Sequence, residues 1–227
     1  MPGALPRVHL VTPAVVERTV ARYGVHGVLT ERERETLAAF PVERRRRDWL
    51  AGRVAAKRAL RRVLRDRGER VPGYDSVDVW NDSNGAPRFT VAKRPGLAAQ
   101  LNLSIAHTEG TGVAAVADTA GAGTVGVDIE RTTEVSMAAV RRILAAGELA
   151  RLHGDEAPPS AIALWTAKEA AMKAASASCT ALRHVELSWR NARCVGARIT
   201  GASVPAYAIV VRHRTVGPYT VALAVYR

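Results

Sequence analysis

Gly126-Val127-Asp128-Ile129-Glu130 alternates apolar and acidic residues, and this alternation predicts a β-strand over 124–130. The valines and the isoleucine share one face, which we expect to point into a core. Asp128 and Glu130 share the other face, roughly 6–7 Å apart along the strand. Two neighbouring carboxylates repel each other unless a cation or an arginine neutralises them. The strand alone is therefore equally compatible with a metal site and with an arginine-paired surface.

A second motif follows about forty residues later, Trp165-Thr166-Ala167-Lys168-Glu169-Ala170-Ala171-Met172-Lys173, in a predicted helix over 160–176. Trp165, Glu169 and Lys173 are spaced four residues apart, so they form one stripe along this helix. A Glu–Lys pair one turn apart is common on exposed helices and contributes only a few tenths of a kcal/mol. Trp165 nevertheless directs the stripe inward, which favours a function for the two charges.

The two motifs together supply the groups that a magnesium–diphosphate site requires. Mg²⁺ prefers a few carboxylates combined with substrate phosphate oxygens and water. The candidate metal ligands are Asp128, Glu130 and Glu169. Lys168 and Lys173 are candidate phosphate contacts, because an ammonium group attracts phosphate as a point charge.

A short internal sequence repeat predicts that the chain is a duplicated α/β unit. The segments Trp49–Lys57 and Trp165–Lys173 share Trp, Ala, Ala and Lys at identical positions, and about half the chain separates them. The small residues of 119–123 form a linker, so we expect subdomains at 1–122 and 123–227. The predicted fold is α+β, with two pseudo-symmetric subdomains that each pack a small, mostly antiparallel sheet on a long helix.

The remaining elements are predicted from periodicity and from Gly and Pro breakers. Strands are expected at 7–12, 77–80, 88–91, 101–107, 112–117, 184–190, 204–213 and 218–226, and helices at 30–40, 42–67 and 136–146.

Composition limits the function classes that the chain can belong to. It has 227 residues, 48% of them hydrophobic, but its apolar runs are too short to span a bilayer. The first residues lack the apolar stretch of a secretory signal, so we expect a cytoplasmic protein. The net charge of +12 implies an anionic partner, which composition alone leaves open between nucleic acid, a phosphorylated ligand and an acidic protein.

The two acidic motifs resemble the signature motifs of the 4′-phosphopantetheinyl transferases, and most closely the long, pseudo-dimeric type that activates surfactin synthetase. Weaker motifs of that family follow in the same order. Leu50-Ala51-Gly52-Arg53 is similar to its helical Gly-Arg segment, and Gly85-Ala86-Pro87 to its Gly-x-Pro turn. Ser104-Ile105-Ala106-His107-Thr108 resembles its Asn-x-Ser-His-Ser strand end. The resemblance covers about residues 30–175.

The resemblance implies transfer of 4′-phosphopantetheine from coenzyme A to a serine of an apo acyl or peptidyl carrier protein, with release of 3′,5′-ADP. It implies that Asp128, Glu130 and Glu169 bind Mg²⁺ and that Lys173 contacts the diphosphate. We take Glu169, rather than Glu130, as the proton acceptor for the serine hydroxyl, and name Glu169 and Lys173 as the catalytic residues.

The same resemblance implies a set of contacts to coenzyme A. His107 is expected at the 3′-phosphate, residues 84–87 by the adenine, and Gly52 near the nucleotide. The implied coenzyme A contacts are Arg34, Arg53, Asn84, Gly85, Ala86, Pro87, Ser104, Ile105, Ala106, His107, Lys168 and Lys173. Ala86, Ser104 and Ala106 depart from the family pattern, and Thr36 stands nearest to a position where the family has a basic residue. Arg34 or Arg32 is expected to replace that residue.

The basic charge and the acidic motifs of this chain are also compatible with two other functions. A magnesium-dependent nuclease fits the carboxylates and lysines, but Glu130 is followed by Arg131 and Thr132 instead of the usual Glu-x-Lys spacing. A non-catalytic nucleic-acid-binding protein fits the charge but leaves the three acids unexplained. We therefore expect a monomer whose partners are coenzyme A and an acidic carrier protein, with neither nucleic acid nor a membrane as a partner.

Overall fold

The computed structural model describes residues 5–133, 135–152, 159–175, 181–190, 193–200 and 209–226. Contacts between Cα atoms divide the chain into two compact units, Met1–Gly121 and Ala122–Arg227. Within the described ranges no helix is long and apolar enough to cross a membrane.

In the first unit three helices follow the first strand along the chain, and a fourth, short helix precedes the last two strands. The elements are β1 (Arg7–Val11), α1 (Pro13–Val28), α2 (Glu31–Ala39), α3 (Glu43–Asp66), β2 (Val77–Asn81), β3 (Pro87–Val91), α4 (Leu97–Gln100), β4 (Leu101–Thr108) and β5 (Thr111–Asp118). An antiparallel sheet has the order β1-β5-β4, and β2 pairs with β3 in a separate hairpin. The long helix α3 covers the three-stranded sheet with alanine, valine and leucine side chains, which form the core of this unit.

The second unit repeats this order. A short helix α5 (Thr119–Ala122) leads to β6 (Thr124–Arg131), α6 (Met137–Arg141), α7 (Ala146–Arg151), α8 (Ala161–Ala175), β7 (Val185–Arg190), β8 (Arg193–Ile199), β9 (Ile209–Val216) and β10 (Tyr219–Tyr226). The strands form one antiparallel sheet of order β6-β10-β9-β8-β7. The alanine-rich face of α8 packs on this sheet. The predicted α+β fold with two similar units is confirmed.

A buried ion pair anchors the long helix of the first unit. Lys57 on α3 and Glu33 on α2 are fully buried, with Nζ and Oε2 2.5 Å apart. Lys57 also donates to the carbonyls of Val28 and Tyr74. The second oxygen of Glu33 accepts from the backbone N–H of Val79 on β2 at 3.2 Å. The pair thereby connects two helices and a strand.

The second unit contains the same arrangement. Lys168 on α8 and Glu148 on α7 are fully buried, with Nζ and Oε2 2.7 Å apart. Lys168 also donates to the carbonyls of Leu182 and Val185. The second oxygen of Glu148 accepts from the N–H of Leu187 on β7 at 2.8 Å. Lys57 therefore corresponds to Lys168. The internal sequence repeat, which aligned Lys57 with Lys173, is wrong by five residues.

Some elements differ from the sequence expectations. Helix α1 was missed, because its 16 residues include two glycines, and Gly24 adopts a positive φ of 69° inside it. The helix predicted at 136–146 is two short helices, because Ala145 has an extended backbone (ψ 159°) and begins α7 as its N-cap. Strand β8 was also missed. The first part of the strand predicted at 204–213 lies outside the described residues, and β9 begins at Ile209.

Candidate active site

The first motif begins with a glycine because α8 lies directly against β6. A Cβ atom at Gly126 would lie 1.9 Å from the carbonyl oxygen of Ala170 and 2.5 Å from the amide nitrogen of Ala174. The hydroxyl of Thr124 donates to the Ala174 carbonyl on the same side. Only a glycine allows the helix backbone to approach the strand this closely. This contact brings the α8 motif next to the acidic face of β6.

Asp128 and Lys173 form the centre of the site. Lys173 Nζ lies 2.7 Å from Asp128 Oδ1 and also donates to the carbonyl of Val127 at 3.3 Å. The Asp128 side chain is 7% exposed and the Lys173 side chain 29% exposed, so the lysine reaches the surface from the buried carboxylate. The second carboxylate oxygen, Oδ2 of Asp128, is buried and has no hydrogen-bond partner in the described part of the chain.

Glu169 interacts electrostatically with both members of this pair. Burial is the largest cause that raises the pKa of Glu169 above its ordinary value of 4.5, and the negative charge of Asp128 raises it further. The ammonium of Lys173 opposes these effects and lowers the pKa. A carboxyl group with a raised pKa exchanges its proton more readily near neutral pH. The structure therefore brings Asp128, Glu169 and Lys173 together.

Glu130 stands two residues beyond Asp128 on the same face of β6, opposite Thr220 of β10, and is half-buried. Among the described residues there is no group of three His, Cys, Asp or Glu side chains in position around one metal ion. The orphaned oxygen of Asp128 nevertheless suits a hard cation, since a buried carboxylate oxygen without a partner is costly. Because Mg²⁺ takes most of its ligands from phosphate and water, a few protein oxygens are enough.

Lys168 does not fit its predicted role as a phosphate contact. Its side chain has no exposed surface, and its ammonium binds Glu148 and two carbonyls in the core. Its neighbour Glu169 faces the site, because adjacent helical residues point about 100° apart. We therefore correct the sequence prediction: Lys168 holds α8 in place.

His107 lies near α3 in the first unit. A Cβ atom at Gly52 would lie 3.1 Å from Cδ2 of His107 and 3.1 Å from Cγ2 of Ile105, so the glycine leaves space for both side chains. His107 is exposed at the end of β4. Ser104 and Ala106 are buried and alternate to the opposite face of the strand. Only two side chains of the predicted four-residue segment therefore meet α3.

Arg53 is buried and does not present an open guanidinium group. Its side chain stacks over the Trp49 ring at 4.5 Å, and Nη2 donates to Oδ1 of Asn81 at 3.1 Å. Burial lowers the pKa of Arg53 to about 10, although the carboxylates of Glu33 and Asp78 favour the charged form. Arg53 thus contacts Asn81, while its Nε is buried without a hydrogen-bond partner among the described residues, and a direct contact of Arg53 with a ligand stays a prediction.

Asn81 connects Arg53 to the Gly-Ala-Pro turn. Its amide Nδ2 donates to the carbonyl of Gly85 at 3.2 Å. Oδ1 of Asp82 accepts from the N–H groups of Asn84 and Ala86 at 2.9 and 3.0 Å. These bonds fix an exposed turn in which Gly85 has a positive φ of 80°. The sequence analysis missed Asn81, and its position at the first residue of an Asn-Asp-Ser-Asn-Gly turn is the signal that identifies it.

Arg34 lines a cavity of about 420 Å³ in the first unit. Its Nη1 donates to the carbonyl of Leu29 at 2.9 Å, so one side of the guanidinium is occupied. Arg46 and Arg47 of α3 line the same cavity, and Leu37 and Leu50 form its apolar wall. The cavity therefore combines basic and apolar surface with one carboxylate, that of Glu43.

Residues 124–224, which contain both motifs, match the model of the 4′-phosphopantetheinyl transferase superfamily. The holo-[acyl-carrier-protein] synthase of Halalkalibacterium halodurans is 33% identical over 92 residues, which are 40% of this chain and 73% of that protein. The chain belongs to the 4′-phosphopantetheinyl transferase superfamily. The holo-[acyl-carrier-protein] synthase of Lactococcus lactis is 36% identical over 92 residues, 40% of this chain and 75% of that protein.

Solved structures of the superfamily resemble about half of this chain. The Helicobacter pylori holo-[acyl-carrier-protein] synthase, in complex with coenzyme A, has a TM-score of 0.38 and 20% identity, and covers 50% of this chain and 99% of its own. The Neisseria meningitidis synthase has a TM-score of 0.39 and 21% identity, and covers 52% and 98%. As a member of this superfamily, the protein is a transferase.

Proposed function

We propose that this transferase moves 4′-phosphopantetheine from coenzyme A to a serine hydroxyl of an apo acyl or peptidyl carrier protein and releases 3′,5′-ADP. The observation that carries the proposal is the Asp128–Lys173 ion pair with Glu169 beside it, inside the range that matches the superfamily. Two relatives, each matched over 92 residues of this chain, are holo-[acyl-carrier-protein] synthases.

The proposed reaction forms a bond between the serine oxygen and phosphorus and breaks the bond to the departing phosphate of 3′,5′-ADP. Glu169 accepts the serine proton, a role that its raised pKa supports. Lys173 lies partly exposed at the surface of the site, where its positive charge stabilises the diphosphate as negative charge shifts to the leaving group. This chain supplies no nucleophile, since the serine comes from the carrier.

Mg²⁺ is proposed to bind Asp128, Glu130 and Glu169. The support is the buried Oδ2 of Asp128, which lacks a partner among the described residues, together with the position of Glu130 on the same strand face. When bound, Mg²⁺ neutralises the charge of the diphosphate. Lys173 already compensates one oxygen of Asp128, so the other oxygen is the one available to a cation.

The first unit, residues 1–122, is proposed to contact the nucleotide part of coenzyme A, and the second unit, residues 123–227, to carry the metal and the chemistry. Exposed His107 and residues 84–87 are the proposed nucleotide contacts, with the backbone of 104–106 beside them. Arg34 is the proposed phosphate contact from α2, and its partly exposed guanidinium supports this assignment.

The long, surfactin-synthetase-activating type is also proposed for this chain. The 92 matched residues are 73% of the Halalkalibacterium protein, so that relative is about as long as one unit, whereas this chain contains two units of like topology. A chain that contains both halves has no need for a second copy, which supports a monomer. The net charge of +12 supports an acidic carrier as partner.

The test is incubation of the protein with Mg²⁺, coenzyme A and an apo carrier protein, followed by mass spectrometry of the carrier. We expect a mass gain of one phosphopantetheine group. Glu169→Gln and Lys173→Met are expected to remove the gain, whereas Arg214→Gln, which removes a charge from an exposed position of β9, retains it. Cleavage of added DNA without any carrier modification would show a nuclease instead.

A further inference from the structure

The first unit contains a counterpart of the acidic site, and strand register identifies its residues. The hairpins β4–β5 and β9–β10 have the same length and register, since Leu101 pairs with Asp118 in one and Ile209 with Tyr226 in the other. Ala114 therefore corresponds to Ala222. His9 pairs with Ala114, and Asp128 pairs with Ala222. His9 consequently holds the position of Asp128.

The buried ion pairs give the matching position on the long helix. Because Lys57 corresponds to Lys168, the next residue, Arg58, corresponds to Glu169. Burial lowers the pKa of His9, and the positive charges of Arg58, Arg62 and Arg65 lower it further, so these groups lie close together. The counterpart of the acidic site thus has basic residues in place of two carboxylates and repels cations.

One carboxylate lies within this basic group. Asp66 on α3 binds Nε of Arg62 at 2.9 Å and Nε of Arg7 at 2.8 Å. It therefore neutralises these two outer arginines. In the described part of the chain no carboxylate pairs with Arg58.

A cavity of about 610 Å³ lies beside Arg58 on the α1 side of the unit. Such a volume is in the range of small-molecule sites. Its lining residues include no carboxylate, and they are Val15, Arg18, Thr19, Ala21, Arg22, Tyr23, Arg58 and Tyr74. Three arginines that line one cavity, with no carboxylate among the lining residues, favour an anion there.

Two further features of the cavity lining concern Arg58 and the ring of Tyr23. Nε of Arg58 is buried and has no hydrogen-bond partner within the described residues. A buried donor without a partner is costly, and a bound anion that drew the Arg58 side chain into the cavity would relieve that cost. The rings of Tyr23 and Tyr74 are tilted by 55° with centroids 5.4 Å apart, and Tyr23 is 44% exposed. Cζ of Arg22 lies over this ring, 5.3 Å from its centroid, and a planar group can pack on the exposed part of Tyr23.

We propose that this cavity binds a nucleoside phosphate. Arg18, Arg22 and Arg58 bind its phosphates, and the base lies against Tyr23. A small ligand is favoured over a polynucleotide because the three arginines line one cavity of about 610 Å³. The site is separate from the residues proposed for coenzyme A, and the inference does not depend on the proposed function.

The experiment is calorimetric titration of ADP into the full chain in the presence of saturating coenzyme A, which fills the proposed active site. We expect one ADP per chain, with Arg22→Gln and Arg58→Gln each weakening binding at least about tenfold through loss of a charge-assisted bond. Arg58→Lys, which keeps the charge but lacks Nε, is expected to weaken binding less than Arg58→Gln.

The matched control is Arg212→Gln, which removes one exposed arginine from β9 and should leave ADP binding unchanged. Circular dichroism establishes that each variant is folded. Absence of ADP binding, or equal binding by the arginine variants, overturns the proposal. If adenosine binds as tightly as ADP, the arginines do not bind the phosphates. If inorganic phosphate binds as tightly as ADP, Tyr23 does not bind the base. A single-stranded oligonucleotide that binds far more tightly than ADP would show a polynucleotide-binding surface instead.

Discussion

At the scale of single residues, the candidate site depends on the absence of a side chain at Gly126 and on the raised pKa of Glu169. Gly126 removes the atoms that would separate α8 from β6, and Asp128, two residues later, then meets Lys173. Burial of Glu169 between opposing charges sets its proton affinity. Both effects follow from contacts within a few ångströms.

Gly126→Ala is expected to destabilise the protein by about 1–3 kcal/mol or more, because the new Cβ meets the helix backbone and not a movable side chain. Urea denaturation measures the free energy of unfolding. The control is Gly96→Ala, where a Cβ atom meets nothing within 4 Å and φ is −86°. Equal stability of the two variants contradicts the close packing of α8 on β6.

Glu169→Gln is expected to stabilise the metal-free protein at neutral pH. The folded-state pKa of Glu169 is raised above 4.5, so the folded state binds the proton more tightly than the unfolded state. Stability from this group is therefore present below the ordinary value and is lost as the pH rises through the folded pKa. Thermal unfolding from about pH 4 to pH 8 should show the advantage of Glu169→Gln growing with pH across this window. Exposed Glu35→Gln is the control and should show no such trend.

At the scale of secondary-structure elements, a buried Glu–Lys pair fixes the long helix in each unit. Glu148 accepts from the N–H of Leu187 and from that of Ala145, while Lys168 binds two carbonyls. These hydrogen bonds of Glu148 and Lys168 are all made to groups of the same unit. The pair orients α8, and with it the stripe that carries Glu169 and Lys173.

Lys168→Met is expected to cost about 3–5 kcal/mol, because it leaves the Glu148 carboxylate buried without its counter-charge. The double variant Lys168→Met/Glu148→Gln should recover part of this loss. Chemical denaturation of both variants measures the difference. Arg198→Met, which breaks an ion pair on an exposed arginine, should cost less than about 1 kcal/mol. A Lys168→Met protein of normal stability with a raised KM for coenzyme A would restore the phosphate role.

At the scale of the whole molecule, the net charge of +12 is expected to govern encounter with the carrier. The KM for an acidic carrier should rise several-fold between about 0.05 and 0.3 M salt, because screening shortens the range of attraction. The kcat should change much less, since chemistry follows binding. Steady-state assays over this salt range measure both constants. A KM that is independent of salt contradicts charge-guided docking.

The sequence by itself determined the fold class, the helix of the second motif and the acidic strand. Alternation and helical periodicity are local patterns, so β6 and α8 could be read from their own residues. The family resemblance, too, rested on short motifs in order. Their spacing along the chain was enough to indicate a transferase.

Only the tertiary structure decided which lysine serves the site and which serves the core. Lys168 and Lys173 lie one helical turn and a fraction apart, and the sequence assigned both to phosphate. The choice depends on Glu148 and on two carbonyls beyond α8, and no pattern within the helix encodes these contacts. The equivalence of Lys57 with Lys168, and of His9 with Asp128, likewise follows from strand register and buried partners. Burial and pairing are properties of residues distant in sequence, which is the physical reason that local periodicity cannot supply them.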